Sequence, residues 1–248
     1  MNPMSPEQPE QSDRHDSPAG PTAGAPELAS RSQLSTRFLR TWLGVNALGF
    51  AIAPTLLFSI GPLLDGALNF RDEYFAGYVV GVVVGPLQAI ALQPRVPRLK
   101  IWQWILASIL GGYLGVFLGS VALVFIIFGL DWSSPWFELF SLAIGGAIVG
   151  LSVGLCQMVV LAHQVHGLGR WLMASVLGRS LGWFRACLLW QLLGAKPLMN
   201  NVGDGIGNVA VGEILLCGVV GGLIYGGVTA VVLPSLTLRQ RSVTEPSA

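Results

Sequence analysis

Charged residues are scarce in this sequence. Lys and Arg number 14 and Asp and Glu number 13 among 248 residues, or 11 % of the chain, whereas soluble domains carry roughly a quarter. Apolar residues make up 52 %, and the mean hydropathy is +0.64. A chain of this composition cannot cover a folded surface with polar groups. The scarcity therefore excludes an ordinary soluble domain and predicts a membrane protein.

Cysteine and histidine are also scarce, with three of each. Cys156, Cys187 and Cys217 all fall in long apolar segments, where a thiol packs as a small apolar group, so we expect no disulfide and no cysteine metal site. No histidine, and no Asp or Glu deep in a helix, occurs in these segments, and His163 and His166 have no third metal ligand nearby. We therefore predict no catalytic residues, no metal, no cofactor and no enzyme. We also expect no nucleic-acid partner.

Long apolar segments dominate what is present. Each is close to the roughly 20 residues that a helix needs to cross a bilayer core about 30 Å thick. The predicted fold class is an all-α membrane protein with six transmembrane helices, at Phe38–Leu64, Tyr74–Leu92, Ile101–Leu130, Phe137–Ala162, Trp171–Gly194 and Val211–Leu233.

The segments outside these helices predict the domain organisation. Residues 1–37 are rich in Pro, Ser, Gln and acidic residues and bury no apolar face, so we expect a disordered cytoplasmic tail rather than a signal peptide. Residues 38–236 form the predicted transmembrane domain, and residues 237–248 form a cytoplasmic C-terminal tail.

The positions of the basic residues predict the orientation. Basic residues lie before the first span, between the second and third, between the fourth and fifth, and after the sixth. They are Arg31, Arg37, Arg40, Arg95, Arg98, Lys100, Arg170, Arg239 and Arg241. The alternate connections are mostly acidic, with Asp65, Asp72, Glu73, Asp131, Glu138, Asp204 and Glu213 against Arg71 and Lys196. By the positive-inside rule both termini are cytoplasmic, which agrees with an even number of spans.

Three segments share one glycine pattern. GYVVGVVVGPLQAIAL at 77–92 is matched by GAIVGLSVGLCQMVVL at 146–161 and by GVVGGLIYGGVTAVVL at 218–233. At about 100° per residue the shared positions fall on one helix face. In lipid such small faces allow close helix packing. The predicted packing glycines are Gly77, Gly81, Gly85, Gly146, Gly150, Gly154, Gly218, Gly222 and Gly226.

A second element alternates with the first. WILASILGGYLG from Trp104 matches WLMASVLGRSLG from Trp171, and WLGVNALG from Trp42 is a weaker copy. The sequence thus predicts three hairpins. In each, a helix that begins with Trp crosses away from the cytoplasm (the outward helix), and a helix with a glycine stripe crosses back (the return helix). Because each hairpin has two spans, successive copies enter the membrane the same way up and form a parallel repeat.

Polar residues recur at one depth in both kinds of helix. We expect them to bond across helix interfaces, or to exposed backbone, while the three Trp residues mark the cytoplasmic membrane interface. The alternative is that the polar ring lines a path or ligand site near a pseudo-threefold axis. The predicted interhelical polar positions are Asn46, Gln88, Ser108, Gln157, Ser175 and Thr229.

The chain resembles a group of uncharacterised bacterial multi-pass membrane proteins. These are built from Gly-x3-Gly-x2-Gln-x3-Leu return helices and Trp-x6-Leu-Gly outward helices, and the resemblance covers Trp42 to Leu236. Here Gln93 and Ala162 follow the Leu of the repeat, at a position that is often basic in the group. The resemblance implies a bacterial inner membrane, or another internal bacterial membrane, and no particular activity.

The fifth span departs from the repeat. Arg179 replaces Gly112 of the earlier copy, and Arg185 replaces Leu118. An arginine near mid-membrane is costly and needs a partner. One reading is that Arg179 bonds helix carbonyls or Glu213, or reaches water in a tilted helix. The other is that Arg179 and Arg185 form a candidate anion or lipid site, with Gln157 as a further contact.

Two functional classes remain after enzymes are set aside. We favour a non-enzymatic membrane component for assembly, scaffolding or interaction, with membrane lipids and other membrane protein subunits as partners. The alternative is a small-solute or anion transporter or channel, or a lipid-binding membrane protein. A water-filled path would favour transport, and a sealed bundle would favour assembly.

Overall fold

The computed structural model describes residues 35–68, 72–129, 135–193 and 211–238. The predicted N-terminal tail lies outside this part except for 35–37, and of the predicted C-terminal tail only 237–238 lie inside it. Within it the chain forms six α-helices and no strand. These are α1 (Thr36–Leu68), α2 (Asp72–Leu92), α3 (Ile101–Gly129), α4 (Pro135–Leu161), α5 (Leu168–Leu192) and α6 (Val211–Val232), followed by a 3-10 turn at Leu233–Ser235.

Four of the helices are long and apolar enough to cross a membrane. Their apolar segments are Ile101–Ile126, Trp136–Leu161, Leu168–Leu192 and Val211–Ser235, and Gly77–Leu92 is a shorter one. Large apolar side chains stand exposed on their outer faces, including Leu110, Phe125 and Val159. Soluble proteins rarely expose apolar surface on this scale. Within the described residues the chain is a multi-pass helical membrane protein.

The six helices close into a ring. Each helix packs against the helices that precede and follow it in the chain, and α6 packs against α1. α2 contains Pro86 and still continues to Leu92 without a break. The ring places one face of every helix toward a shared interior, and this interior holds the buried polar residues.

The glycine faces form the interfaces between each return helix and the following outward helix. A Cβ atom built on Gly81 of α2 would lie 2.5 Å from the Cα of Ile109 in α3. A Cβ on Gly150 of α4 would lie 2.8 Å from the Cα of Val176 in α5. A Cβ on Gly222 of α6 would lie 2.8 Å from the Cα of Ala47 in α1. The three contacted residues each lie five positions after the Trp of their helix.

Glycines of α3 and α5 make close contacts with the helix that follows each of them in the chain. A Cβ on Gly111 of α3 would lie 2.5 Å from the Cα of Val153 in α4, and one on Gly182 of α5 would lie 2.8 Å from the carbonyl oxygen of Gly221 in α6. Backbones therefore touch at both kinds of interface.

A short strap holds the end of the described chain against the α4–α5 connection. Leu238 forms an isolated antiparallel bridge with Val165, and the backbone N–H of His166 donates to the carbonyl oxygen of Thr237 at 2.8 Å. Gly167 has a φ of 85°, and a Cβ there would lie 2.8 Å from the carbonyl oxygen of Ser235. Residues 237–238 are therefore attached to the bundle.

The glycine contacts generate the first prediction. Gly81→Ala places a methyl group against the α3 backbone, which cannot move away as a side-chain tip could. We expect overpacking to lower the free energy of unfolding by about 1 to 3 kcal/mol, measured as melting temperature in detergent.

Gly119→Ala in α3 is the matched control, because nothing lies within 4 Å of a Cβ at that position. It should leave stability unchanged or raise it by up to about 1 kcal/mol through helix propensity. Equal melting temperatures for the two variants would contradict the packing role of Gly81.

Candidate functional site

The three Trp residues that lead the outward helices lie inside the bundle. Trp42, Trp104 and Trp171 are each 0 % exposed. The ring of Trp171 is 6.2 Å from that of Trp42 and 5.9 Å from that of Trp104, measured between centroids. The expectation that they mark the cytoplasmic membrane interface stays a prediction, since the structure shows only that all three lie inside the bundle. They share the inward face of their helices with the polar positions, and the close glycine contacts bring the three indoles together.

A layer of polar side chains lies one helical turn beyond this Trp cluster. Gln88 Nε2 donates to Asn46 Oδ1 at 2.8 Å, and Asn46 Nδ2 donates to the carbonyl oxygen of Trp42 at 2.8 Å. Gln157 Nε2 donates to Ser108 Oγ at 3.1 Å and lies 3.5 Å from Gln88 Oε1. These bonds link α1, α2, α3 and α4 through the centre of the ring.

Thr229 joins the same layer from α6. The indole Nε1 of Trp42 donates to Thr229 Oγ1 at 3.0 Å, and this hydroxyl donates to the carbonyl oxygen of Tyr225 at 2.8 Å. Ser175 of α5 is also fully buried, yet its hydroxyl has no hydrogen-bond partner among the described residues. The structure thus brings five of the six predicted polar positions into one bonded chain and leaves Ser175 beside it.

Arg179 lies one turn beyond Ser175 and is 3 % exposed. Its guanidinium carbon is 5.2 Å from the centre of the Phe50 ring and 5.0 Å from that of Tyr225. Cation–π contacts of this kind stabilise a desolvated arginine by up to about 2 kcal/mol. Within the described residues, Nε and Nη1 have no hydrogen-bond acceptor. The buried cation is thus held by two aromatic faces, a pairing that the sequence did not predict.

The structure does not bring the two arginines of α5 together. Arg185 is exposed, whereas Arg179 faces the interior. Six residues of helix turn the chain by about 600°, which leaves the two side chains roughly 120° apart around the axis. Arg185 therefore lies on an outer face and cannot share one small anion with Arg179 inside the ring.

A half-open apolar cavity of about 280 Å³ lies between the helices at the end away from the Trp cluster. Five helices line it, and Phe50 both lines it and contacts Arg179. Glu138 is its only charged lining residue among those described. The lining residues are Phe50, Pro54, Leu57, Val80, Glu138, Leu142, Gly182, Trp183, Ala186, Cys187, Trp190, Ile214, Cys217, Gly218 and Gly221.

Glu138 was missed by the sequence analysis, which counted it as an acid of an outer connection. It lies in the first turn of α4 and is only 7 % exposed. Its Oε2 accepts a hydrogen bond from Gln191 Nε2 at 3.2 Å, and the same nitrogen lies 3.9 Å from Cys187 Sγ. The lone Gln in the apolar run LLWQLL was the signal that could have pointed to a buried polar partner.

No group of three or more His, Cys, Asp or Glu side chains that could hold a metal ion occurs in the described part of the chain. The three cysteines are free thiols, of which Cys187 and Cys217 line the cavity and Cys156 does not. The ionisable side chains buried between the described helices thus include Arg179 and Glu138.

Comparisons of the chain with protein-family models, with curated proteins and with solved structures give no match.

The polar layer generates the second prediction. Gln88→Leu leaves the buried Oδ1 of Asn46 without its donor, and an unsatisfied buried polar atom costs about 1 to 3 kcal/mol. We expect a matching loss in the free energy of unfolding in detergent. Ser175→Ala is the control, because the hydroxyl it removes has no partner within the described residues. An effect of Ser175→Ala as large as that of Gln88→Leu would refute the importance of the bonded chain.

Proposed function

We propose that the chain crosses the membrane six times, as three hairpins inserted the same way up, with both termini in the cytoplasm. In this topology α1 and α2 add two spans to the four long apolar helices. The closed ring and the matching glycine contacts support three copies of one hairpin, and the positions of Lys and Arg support the orientation. The proposed location is the inner membrane of a bacterial cell or another internal bacterial membrane.

In this membrane the chain acts as a non-enzymatic scaffold or assembly component that binds lipids and other membrane protein subunits. The observation that carries this proposal is that the interior is filled at the end that holds the Trp cluster and the polar layer. The Trp cluster and the polar layer lie one above the other along the helix axes. Within each of them the side chains contact one another directly. A conducted solute would have to separate both layers, which argues against transport.

The chemistry of the interior also argues against an enzyme. A hydrolase or transferase needs a nucleophile next to a base, or a carboxylate pair, at one depth. No histidine lies in the described helices to act as such a base. The proposal therefore assigns no catalytic residue.

The outer faces are the surfaces left for partners. The nine predicted packing glycines are mostly occupied within the ring, so another subunit must bind elsewhere. α3 is the least buried of the four long apolar helices, with Leu106, Leu110 and Leu114 exposed along one face. We assign partner contact to this face of α3 and lipid contact to the outer faces of the other helices.

The third prediction tests the scaffold. The protein, extracted in a mild detergent from its own membranes, should carry a stoichiometric membrane subunit in native mass spectrometry. Leu110→Trp with Leu114→Trp should remove this subunit. Leu151→Trp with Leu155→Trp, also exposed and four residues apart on α4, should retain it.

The purified chain in liposomes should also pass no more chloride than protein-free liposomes do. A solitary chain that releases chloride would overturn the scaffold and favour a transporter. A subunit lost equally from both pairs of variants would refute the assignment to α3.

A second candidate function, binding of an anionic lipid or other anion, is favoured by Arg179. A buried cation with two nitrogens that lack acceptors among the described residues would gain from a negative charge. This candidate does not exclude the scaffold, since a bound lipid can be part of an assembly.

The fourth prediction distinguishes this candidate. If Arg179 binds an anionic lipid, native mass spectrometry of the extracted protein should show a retained anionic phospholipid, and Arg179→Leu should lose it. Arg185→Leu removes an exposed arginine of the same helix and should keep it. Equal lipid retention by wild type and by both variants would reject Arg179 as the site.

A further inference from the structure

Arg179 lies next to the end of the apolar cavity that is nearer the polar layer. On α5 the described lining begins at Gly182, three residues after Arg179, and on α6 it ends at Gly221, four residues before Tyr225. Residues three or four apart are neighbours on one helix face, so Arg179 and Tyr225 lie one turn further into the bundle than the two glycines. Phe50 lines the cavity and contacts the rings or guanidinium of both. The cation is thus one side chain away from the cavity.

The polar atoms at this end of the cavity lack partners. Among the described residues, Arg179 Nε and Nη1 have no hydrogen-bond acceptor, and the Tyr225 hydroxyl, which lies close to the guanidinium, forms no well-directed hydrogen bond. Arg179 is 3 % exposed and Tyr225 is 1 % exposed. The Phe50 and Tyr225 rings stabilise the charge but offer these donors no oxygen acceptor. An anion with oxygen atoms would supply the acceptors that a buried cation needs.

The cavity walls beyond these donors are apolar. Along α5 the lining runs from Gly182 to Trp190, which is eight residues or about 12 Å of helix. α1 and α2 add apolar side chains to the lining, among them Pro54, Leu57 and Val80. The cavity is half-open, so a ligand can enter it and the far end of the ligand can extend beyond the walls. It therefore admits a long apolar chain without fixing the length of that chain.

The two buried charges lie at opposite ends of the cavity. Glu138, the one charged side chain in the described lining, accepts a hydrogen bond from Gln191. Gln191 lies twelve residues after Arg179 on α5, a rise of about 18 Å. Glu138 is therefore too far away to neutralise Arg179 or to repel an anion beside it. An anionic group fits the Arg179 end, and the apolar walls fit the rest of the molecule.

We propose that the cavity and Arg179 together bind a carboxylic acid with a long apolar chain, of the fatty-acid class. Its carboxylate replaces the Phe50 ring as a partner of the guanidinium and accepts hydrogen bonds from Arg179 and Tyr225, while its chain lies along the apolar walls. Charge-assisted hydrogen bonds are roughly twice as strong as neutral ones, which favours this exchange. The proposal rests on the second candidate function, an anion at Arg179, and adds the class of the anion and the place of its chain.

The experiment separates the head of the ligand from its chain with three probes. Decanoate has both, decanol keeps the chain without the charge, and acetate keeps the charge without the chain. Binding of radiolabelled probes to the full-length protein in nanodiscs of zwitterionic lipid is measured by equilibrium dialysis, and empty nanodiscs correct for partition into lipid. We expect one saturable site per chain for decanoate and roughly tenfold to a hundredfold weaker binding of decanol, the difference expected for hydrogen bonds to a charged group. Acetate at the same concentration should not displace decanoate.

Two kinds of variant locate the site. Arg179→Gln should lower the affinity for decanoate to about that of decanol and leave the affinity for decanol the same, whereas Arg185→Gln, at an exposed arginine of the same helix, should change neither. Tyr225→Phe keeps the ring and should weaken decanoate alone, by roughly threefold to tenfold. Cys217→Phe places a ring in the cavity and should abolish binding of decanoate and decanol. Cys156→Phe makes the same change at a cysteine outside the cavity lining and should leave binding intact.

The outcomes are separable. No saturable binding of decanoate, or unchanged binding in Cys217→Phe, overturns the site. Equal affinity for decanoate and decanol overturns the role of Arg179, and displacement of decanoate by an equal concentration of acetate overturns the role of the cavity. Should Arg179→Gln fail to fold, the three probes in wild type and the paired cysteine variants still decide the matter. The second candidate function has its own readout, because an anionic phospholipid that Arg179→Leu loses in native mass spectrometry supports that candidate even where decanoate does not bind.

Discussion

The bundle depends on backbone contact between helices at glycine. In a bilayer the lipid tails are as apolar as leucine, so helices gain little by hiding apolar side chains from their surroundings, and dispersion at close approach takes over. Gly81, Gly150 and Gly222 allow this approach at three matching interfaces, where even a Cβ atom would collide with the neighbouring backbone. The close approach places the Trp residues against each other and brings the polar side chains of different helices within hydrogen-bond distance. Without it the Trp cluster and the polar layer would not form.

The inward faces of α1, α3 and α5 carry very different side chains at the level of Arg179. Phe50, Gly112 and Arg179 occupy the same position, eight residues after the Trp of their helix. Gly112 leaves room on one side by packing directly on the backbone of Gly77, and Phe50 contacts the guanidinium of Arg179 on the other. A large ring, an absent side chain and a long cation thus occupy equivalent positions of the three helices. Tyr225 departs from the pattern in the same way, since the corresponding residues Val84 and Val153 have no ring.

Particular residues show what the sequence could and could not predict. Periodicity indicates which face of a helix carries Gly81 or Ser108, because the face depends only on the helical twist. It does not indicate which helix meets that face, so the contact of α6 with α1 was not predicted. The burial of Trp42 was not predicted because an indole, with an apolar body and one N–H, suits both a membrane interface and a buried site with an acceptor such as Thr229. Glu138 was missed because an acid next to a helix start looks the same in sequence whether it faces water or a cavity.

The contact between α6 and α1 has a consequence for chain connectivity. This interface matches those of α2 with α3 and of α4 with α5, yet no loop joins its two helices, whereas short connections at 93–100 and 162–167 join the other pairs. The packing of the ring therefore does not require the chain to begin at α1. A circularly permuted chain that begins at α3, with a short linker between α6 and α1, contains all the same interfaces and should close into the same bundle.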